Sequence, residues 1–258
     1  MPLPLIPDDS FPPGRNEPCF CGSGERFKHC CGVRTPDRLP PHGLGIMDAF
    51  LSPEECQQLV SLANSIAGER FKLRDLDWNL TNELDPTRVC ELMQLGDSQK
   101  LLDDLVARAF TEQVLPHTGQ QIDWNEEPQL LRYQSGGFYQ YHVDAYDPVP
   151  NGKAWRKAID RDISILIYLN DNFTGGELEF KRFSYFLQPK AGMLVWFPSD
   201  IRYEHMARPV TSGYRYAVVS WAAVTGVERV RNERPRRSID WATREKQATG
   251  LRLAPANP

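Results

Sequence analysis

Apolar positions change their spacing midway along the 258-residue chain. Over about 53–67 and again over about 98–115 they recur at three and four, the period of a helix with one buried face. Ser52-Pro53-Glu54-Glu55 opens the first stretch as a capping box with proline at the first helical position. It predicts a helix to about Ala67 that buries Cys56, Leu59, Val60, Leu62 and Ala63. Leu101, Leu102, Leu105, Val106 and Phe110 mark a second helix over about 98–115. From residue 128 onward the period is two. Short strands are predicted near 128–134, 138–144, 162–169, 176–181, 192–197 and 214–223. Two helices followed by a run of strands suggest a sheet sandwich or barrel backed by helices.

The remaining segments lack either period. Residues 1–14 are Pro-rich and read as a mobile tail. Residues 33–42 read as a linker ahead of a main domain at 43–225. Residues 145–160, with Tyr146, Trp155, Arg156 and Lys157, read as a long loop. Residues 226–258 form a tail bearing Arg229, Arg231, Arg234, Arg236 and Arg237, with a short helix expected over 238–246.

Composition narrows the class. Hydrophobic content of 41% is that of a globular protein, and a net charge of −4 makes no case for a nucleic-acid partner. The first residues lack a signal-peptide pattern, and no run is long enough to span a bilayer. The cysteines suit a reducing compartment, so a cytoplasmic location is expected. Nothing in the sequence sets the oligomeric state.

Three side chains of the strand-rich half are candidate metal ligands. His142 and Asp144 stand two apart, where an extended strand places both on one face. His205 follows 63 residues later and Arg215 ten after that. Two imidazoles and one carboxylate on one face of an iron leave its other positions open, as in non-haem Fe(II) oxygenases. A His-x-Asp triplet alone is a weak signal; its surroundings strengthen it.

Residues from about Gly43 to Val224 resemble the 2-oxoglutarate- and Fe(II)-dependent dioxygenases, in their prolyl 4-hydroxylase-like branch. The resemblance rests on His142-Val143-Asp144, the distal His205, Arg215, Tyr133, the Arg161–Asn170 stretch ending in Tyr168-Leu169-Asn170, Gly175-Gly176-Glu177-Leu178 and Trp221. It implies a double-stranded β-helix, or jelly roll, with His142, Asp144 and His205 on Fe(II). Arg215, Tyr133 and Tyr168 would hold 2-oxoglutarate, the guanidinium pairing with its far carboxylate. Arg161, Trp221 and Tyr139 would line the substrate cleft, and 145–160 would be a flap over it. The implied reaction consumes O2, releases succinate and CO2 and hydroxylates a substrate, with ascorbate a candidate reductant. Retention of Asp144 argues against halogenation. The pattern after His205 lacks the second arginine of nucleic-acid demethylases.

A second motif occupies residues 15–32, where Cys19, Cys21, Cys30 and Cys31 form a Cys-x-Cys-x8-Cys-Cys unit. Four thiolates within 13 residues suit a closed tetrahedral zinc site. Two disulfides are the alternative, made awkward by the adjacent Cys30 and Cys31. The segment resembles the SEC-C motif, which is commonest in bacteria. The favoured expectation is a hydroxylase acting on a protein, with proline in a ribosomal or elongation-factor loop as the leading target. The zinc module would fold independently and help to choose that target. The alternatives are an adaptor that docks on translation or secretion machinery with a non-catalytic jelly roll, and a hydroxylase of free amino acids.

Overall fold

The computed structural model of the chain describes residues 3–8, 12–33, 39–74, 80–150, 152–231 and 233–243. Strands dominate, and two antiparallel sheets face each other. The larger sheet runs in the order Gly45–Met47, Leu194–Pro198, Ile163–Tyr168, Arg215–Val224, Gln129–Tyr133, Glu91–Met93 and Gly68–Arg70. The smaller runs Tyr185–Leu187, Leu178–Phe180, His205–Ala207, Phe138–His142 and Arg88–Val89.

The central strand Ile163–Tyr168 is buried along its whole length. Its alternation sorts residues between two cores. Ile163, Ile165 and Ile167 face the helices, together with Leu130, Leu194 and Val218. Leu166 and Tyr168 face the smaller sheet, together with Leu131, Phe180, Phe197, Val219 and Trp221. A strand buried on both faces reads as a nearly continuous apolar run, and Ile163–Tyr168 does so apart from Ser164.

Helix α1 spans Pro53–Ser65 and closes as the sequence predicts. The Ser52 hydroxyl accepts from the Glu55 backbone N–H at 3.2 Å, and the Ser52 N–H donates to the Glu55 carboxylate at 2.8 Å. Replacing such a cap by alanine costs about 1 kcal/mol. Helix α2 spans Gln99–Ala109. It continues through a π-turn at Phe110–Val114 to Leu115–Thr118, and Gly119 ends it at φ +67°. Phe110 is fully buried between α2 and Trp241, so truncating it to alanine would cost roughly 3–5 kcal/mol.

Four segments differ from expectation. The 138–144 strand stops at His142, so Asp144 lies in a bend beyond it. Residues 145–160 contain a hairpin, Tyr146–Pro148 against Ala154–Lys157, because backbone pairing satisfies polar groups that a bare loop would leave to water. The N-terminal tail contributes Ile6–Pro7 as a third strand on that hairpin. Ser238–Asp240 is a strand paired with Ile122–Glu126 rather than the start of a helix; only 241–243 are helical, and 244–258 lie outside the described residues. In the arginine-rich stretch, Arg229, Arg234 and Arg237 each pair with a carboxylate. Half of the expected linker, residues 34–38, also lies outside the described residues. Among the described residues no helix is long and apolar enough to cross a membrane.

Candidate active site

His142 ends one strand of the smaller sheet, and His205 begins its neighbour directly opposite. The pairing brings the imidazole centroids within 4.3 Å. Asp144 reaches both rings, at 3.4 Å from His142 Nε2 and 3.9 Å from His205 Nε2. Ligand atoms about 2.1 Å from one ion and at right angles lie about 3 Å apart, so the three side chains can close on a single metal with little movement. Their ligand atoms all lie within 4.8 Å of one another.

Each of the three is held by a further group. His142 Nδ1 stands 2.9 Å from the Gln140 carbonyl, and His205 Nδ1 stands 2.9 Å from that of Tyr203. Donation from Nδ1 leaves Nε2 as the lone-pair atom on each ring. Ser164 Oγ donates to Asp144 Oδ2 at 2.6 Å and lies 2.7 Å from Ser199 Oγ. Burial and the neighbouring His142 push the His205 imidazole down to about 4, against the pull of Asp144, so it is neutral at physiological pH. Burial would raise the Asp144 carboxyl. The fields of His205, His142 and Arg161, with a hydrogen bond from His142, outweigh it whenever the imidazoles are protonated and hold the group well below the usual carboxylate range.

Arg215 lies in the interior of the same pocket. It is 1% exposed, and its guanidinium lies between the rings of Tyr133 and Tyr168, 4.7 and 4.9 Å from their centroids. It donates to the Tyr168 hydroxyl at 3.4 Å, while its Nε has no partner. No carboxylate among the described residues pairs with it. A buried cation without a counter-charge is costly, so this one demands an anion. Burial raises both phenols above the ordinary tyrosine range, which keeps them neutral donors. A dicarboxylate that chelates a metal at one end and meets Arg215 at the other fits this donor set. The Gly175-Gly176 turn now has a physical reason. Gly176 sits at φ +68°, and a Cβ there would come within 3.0 Å of the Arg215 side chain.

The predicted residues His142, Asp144, His205, Arg215, Tyr133, Tyr139 and Trp221 line one pocket, with Tyr168 in contact through Arg215. Tyr139 stacks on His142 with ring centroids 3.6 Å apart. Arg161 departs from the set. Its guanidinium lies over Trp221 but is locked in a two-pronged pair with Glu126 at 2.6 and 2.7 Å, and it also donates to the Asp144 carbonyl at 3.3 Å. Its contacts thus run to Asp144, Trp221 and Glu126. Sequence reasoning missed Ser164, Glu126 and Arg88. Arg88 lines the pocket beneath the Phe71 and Tyr139 rings. Ser164 lies within the Arg161–Asn170 stretch without being singled out, Glu126 and Arg88 stand in no recognisable motif, and only the pairing of distant strands brings the three in.

The four cysteines form a second metal-competent cluster, with all thiols reduced. Cys21 Sγ lies 3.5 Å from Cys30 Sγ, and Cys30 Sγ 3.9 Å from Cys31 Sγ. Sulfurs about 2.3 Å from a tetrahedral ion lie about 3.8 Å apart, so the spacing fits. The module is not isolated from the sheets. Phe20 stacks on Phe183 at 4.8 Å, and Arg202 donates to the Phe20 carbonyl at 3.2 Å. The Tyr203 hydroxyl donates to the His42 carbonyl. Because the Tyr203 carbonyl also holds His205, the two clusters share a neighbour.

Residues 128–223 match the 2OG-Fe(II) oxygenase superfamily, and residues 15–32 match the SEC-C motif. Among relatives, the chain is 26% identical over 205 residues to prolyl 3-hydroxylase 2 of Mus musculus, covering 68% of this chain and 29% of that protein. It is 36% identical over 99 residues to a PKHD-type hydroxylase of Stenotrophomonas maltophilia, covering 36% of this chain and 41% of the relative. The chain thus spans less than half the length of either. A solved oxidoreductase of the 2OG-Fe(II) oxygenase family from Burkholderia pseudomallei superposes with a TM-score of 0.50 at 17% identity, over 70% of this chain and 84% of that one. That likeness is one of fold.

Proposed function

We propose, from its membership in the 2OG-Fe(II) oxygenase superfamily, that this chain is a dioxygenase that hydroxylates a prolyl residue of a protein. The observation that carries the reading is the buried, anion-demanding Arg215 in the pocket that also holds a facial His-Asp-His set. His142, Asp144 and His205 would hold Fe(II), and Arg215 with Tyr133 and Tyr168 would hold 2-oxoglutarate. Bound together with dioxygen, these would supply the oxidation: 2-oxoglutarate would lose CO2 and take one oxygen atom to become succinate, and the other oxygen atom would become the hydroxyl on the substrate.

The chain's own residues bind, orient and exclude water. Tyr203 and Gln140 fix the two imidazoles, and Ser164 fixes the carboxylate. Arg161 and Glu126 brace Trp221, which offers an apolar wall suited to a pyrrolidine ring. Leu131, Leu166 and Val219 line the apolar remainder and keep water out. Names of relatives support a prolyl target without fixing the ring carbon. The cysteine module would hold a structural Zn(II), since four thiolates leave no position for water.

Succinate release should depend on 2-oxoglutarate and iron. It should rise when proline-containing segments of ribosomal or elongation-factor loops are supplied. Hydroxylation of free amino acids with none of any peptide or protein would overturn the protein-substrate reading. Absence of 2-oxoglutarate turnover under every condition would favour a non-catalytic adaptor.

A further inference from the structure

The Ala154–Lys157 strand pairs on one side with Tyr146–Pro148. Its other side would present bare N–H and C=O groups, an edge ready to pair with any extended chain. That edge is covered by the protein's own N-terminal segment. Ile6 stands opposite Trp155, Pro7 opposite Ala154, and the Asp8 N–H donates to the Lys153 carbonyl at 3.0 Å.

We propose that this edge is the docking strand for the extended peptide substrate, and that Ile6-Pro7-Asp8 occupies it as a tethered competitor. Naming the occupant as substrate rests on the hydroxylase reading; the docking edge itself does not. Three observations carry the inference.

The first is position. The hairpin begins two residues beyond Asp144. Arg182, which holds Asp8, also reaches the carboxylate of Glu204 at 3.4 Å, and Glu204 immediately precedes His205. Arg182 thereby links the tail to the residue next in sequence to a proposed iron ligand.

The second is chemistry. The Asp8 carboxylate receives the Trp155 indole N–H at 2.7 Å and the Arg182 guanidinium at 2.6 Å. These bonds hold its carboxyl below the usual range. Two donors converging on one carboxylate form a specific seat. A partner that fits it carries a carboxylate one residue past a proline, in an extended backbone.

The third is weak hold. The strand pairing covers only two residues, and Pro7 has no N–H to donate. Pro4, Leu5 and Pro7 remain exposed. Little apolar surface is spent on keeping the tail in place, so a chain with equivalent groups can displace it. The tether supplies the high effective concentration that such a weak occupant needs.

The test is binding of a labelled hexapeptide, Leu-Pro-Leu-Ile-Pro-Asp, copied from residues 3–8, to the full-length protein by fluorescence anisotropy. Asp8→Lys sets a cation against Arg182 and should release the tail, so the peptide should bind this variant about tenfold more tightly than the unmodified protein. Adding Arg182→Ala, or the milder Trp155→Phe, should remove that gain, since each takes one donor from the seat. Trp155→Phe keeps an aromatic ring at this position while removing the indole N–H, so it disturbs the hairpin less than a truncation would. Equal affinity for the unmodified protein and Asp8→Lys would overturn the proposal. So would a gain that survives both second substitutions. Because binding is read without turnover, a seated peptide with no hydroxylation of any proline peptide would sink the hydroxylase reading and leave the docking edge standing. Turnover without peptide binding would do the reverse.

Discussion

The thiols of the cysteine cluster come from thirteen consecutive residues, whereas His142, Asp144 and His205 span 64 and are joined only when two strands pair. The local cluster buries little apolar surface of its own, so a metal must supply much of its folding free energy. The distal cluster is placed by two packed sheets, and its imidazoles already point their lone pairs at a common space. A metal that builds a module and a metal received by a finished site should therefore respond differently to the same perturbation.

Replacing Asp144 by alanine should abolish 2-oxoglutarate turnover while the protein keeps its thermal stability, because the sheets and not the ion position the strands. Loss of folding instead of activity, seen by calorimetry, would break the contrast. Next in size is Cys31→Ser or removal of zinc by a chelator. The module should unfold, costing several kcal/mol of its local stability, on the order of half the zinc-binding free energy of small zinc modules. Hydrogen exchange should report this at residues 15–32 and, through Phe20 and Arg202, at 183 and 200–205. Unchanged protection at 200–205 would show the two regions to be uncoupled. Arg215→Ala should raise the 2-oxoglutarate requirement by roughly 10–100-fold, the worth of a charge-assisted hydrogen-bonded pair, with a smaller change in kcat. Titration of KM against kcat separates the two. Smallest is Ser164→Ala. It removes the donor that orients Asp144, and iron affinity should fall about tenfold, read by competition with a metal indicator.

Much of the proposed site was legible because its residue types are rare and chemically committed. His142, His205 and Arg215 stand out in any strand, and Ser52 with Glu55 announced α1 by local hydrogen bonds. What stayed hidden depends on partners far along the chain. Arg161 reads as a free cleft arginine until Glu126, 35 residues earlier, is seen to claim it. The two-residue strand Arg88–Val89 has no periodicity to detect and exists because Phe138 and Tyr139 pair with it. Asp144 was expected on the His142 strand, but Arg161 and Ser199 bond to the backbone at 144 and 145 in a bend. The N-terminal strand, with prolines that normally argue against pairing, follows from the edge offered by the hairpin and the seat offered to Asp8.

The stack of Phe20 on Phe183 sets an order of events during synthesis. The cysteine loop is complete once residue 31 has left the ribosome, yet the surface that receives it is made about 150 residues later. At roughly 5–20 residues per second, the loop waits on the order of ten to thirty seconds with an aromatic ring uncovered. Its ring finds cover when Phe183, Arg202 and Tyr203 emerge, and His205 follows Tyr203 by two residues. The last segment that lets the module dock is thus also the one that completes the triad, so a nascent chain docks the cysteine loop and gains its third candidate iron ligand at nearly the same length.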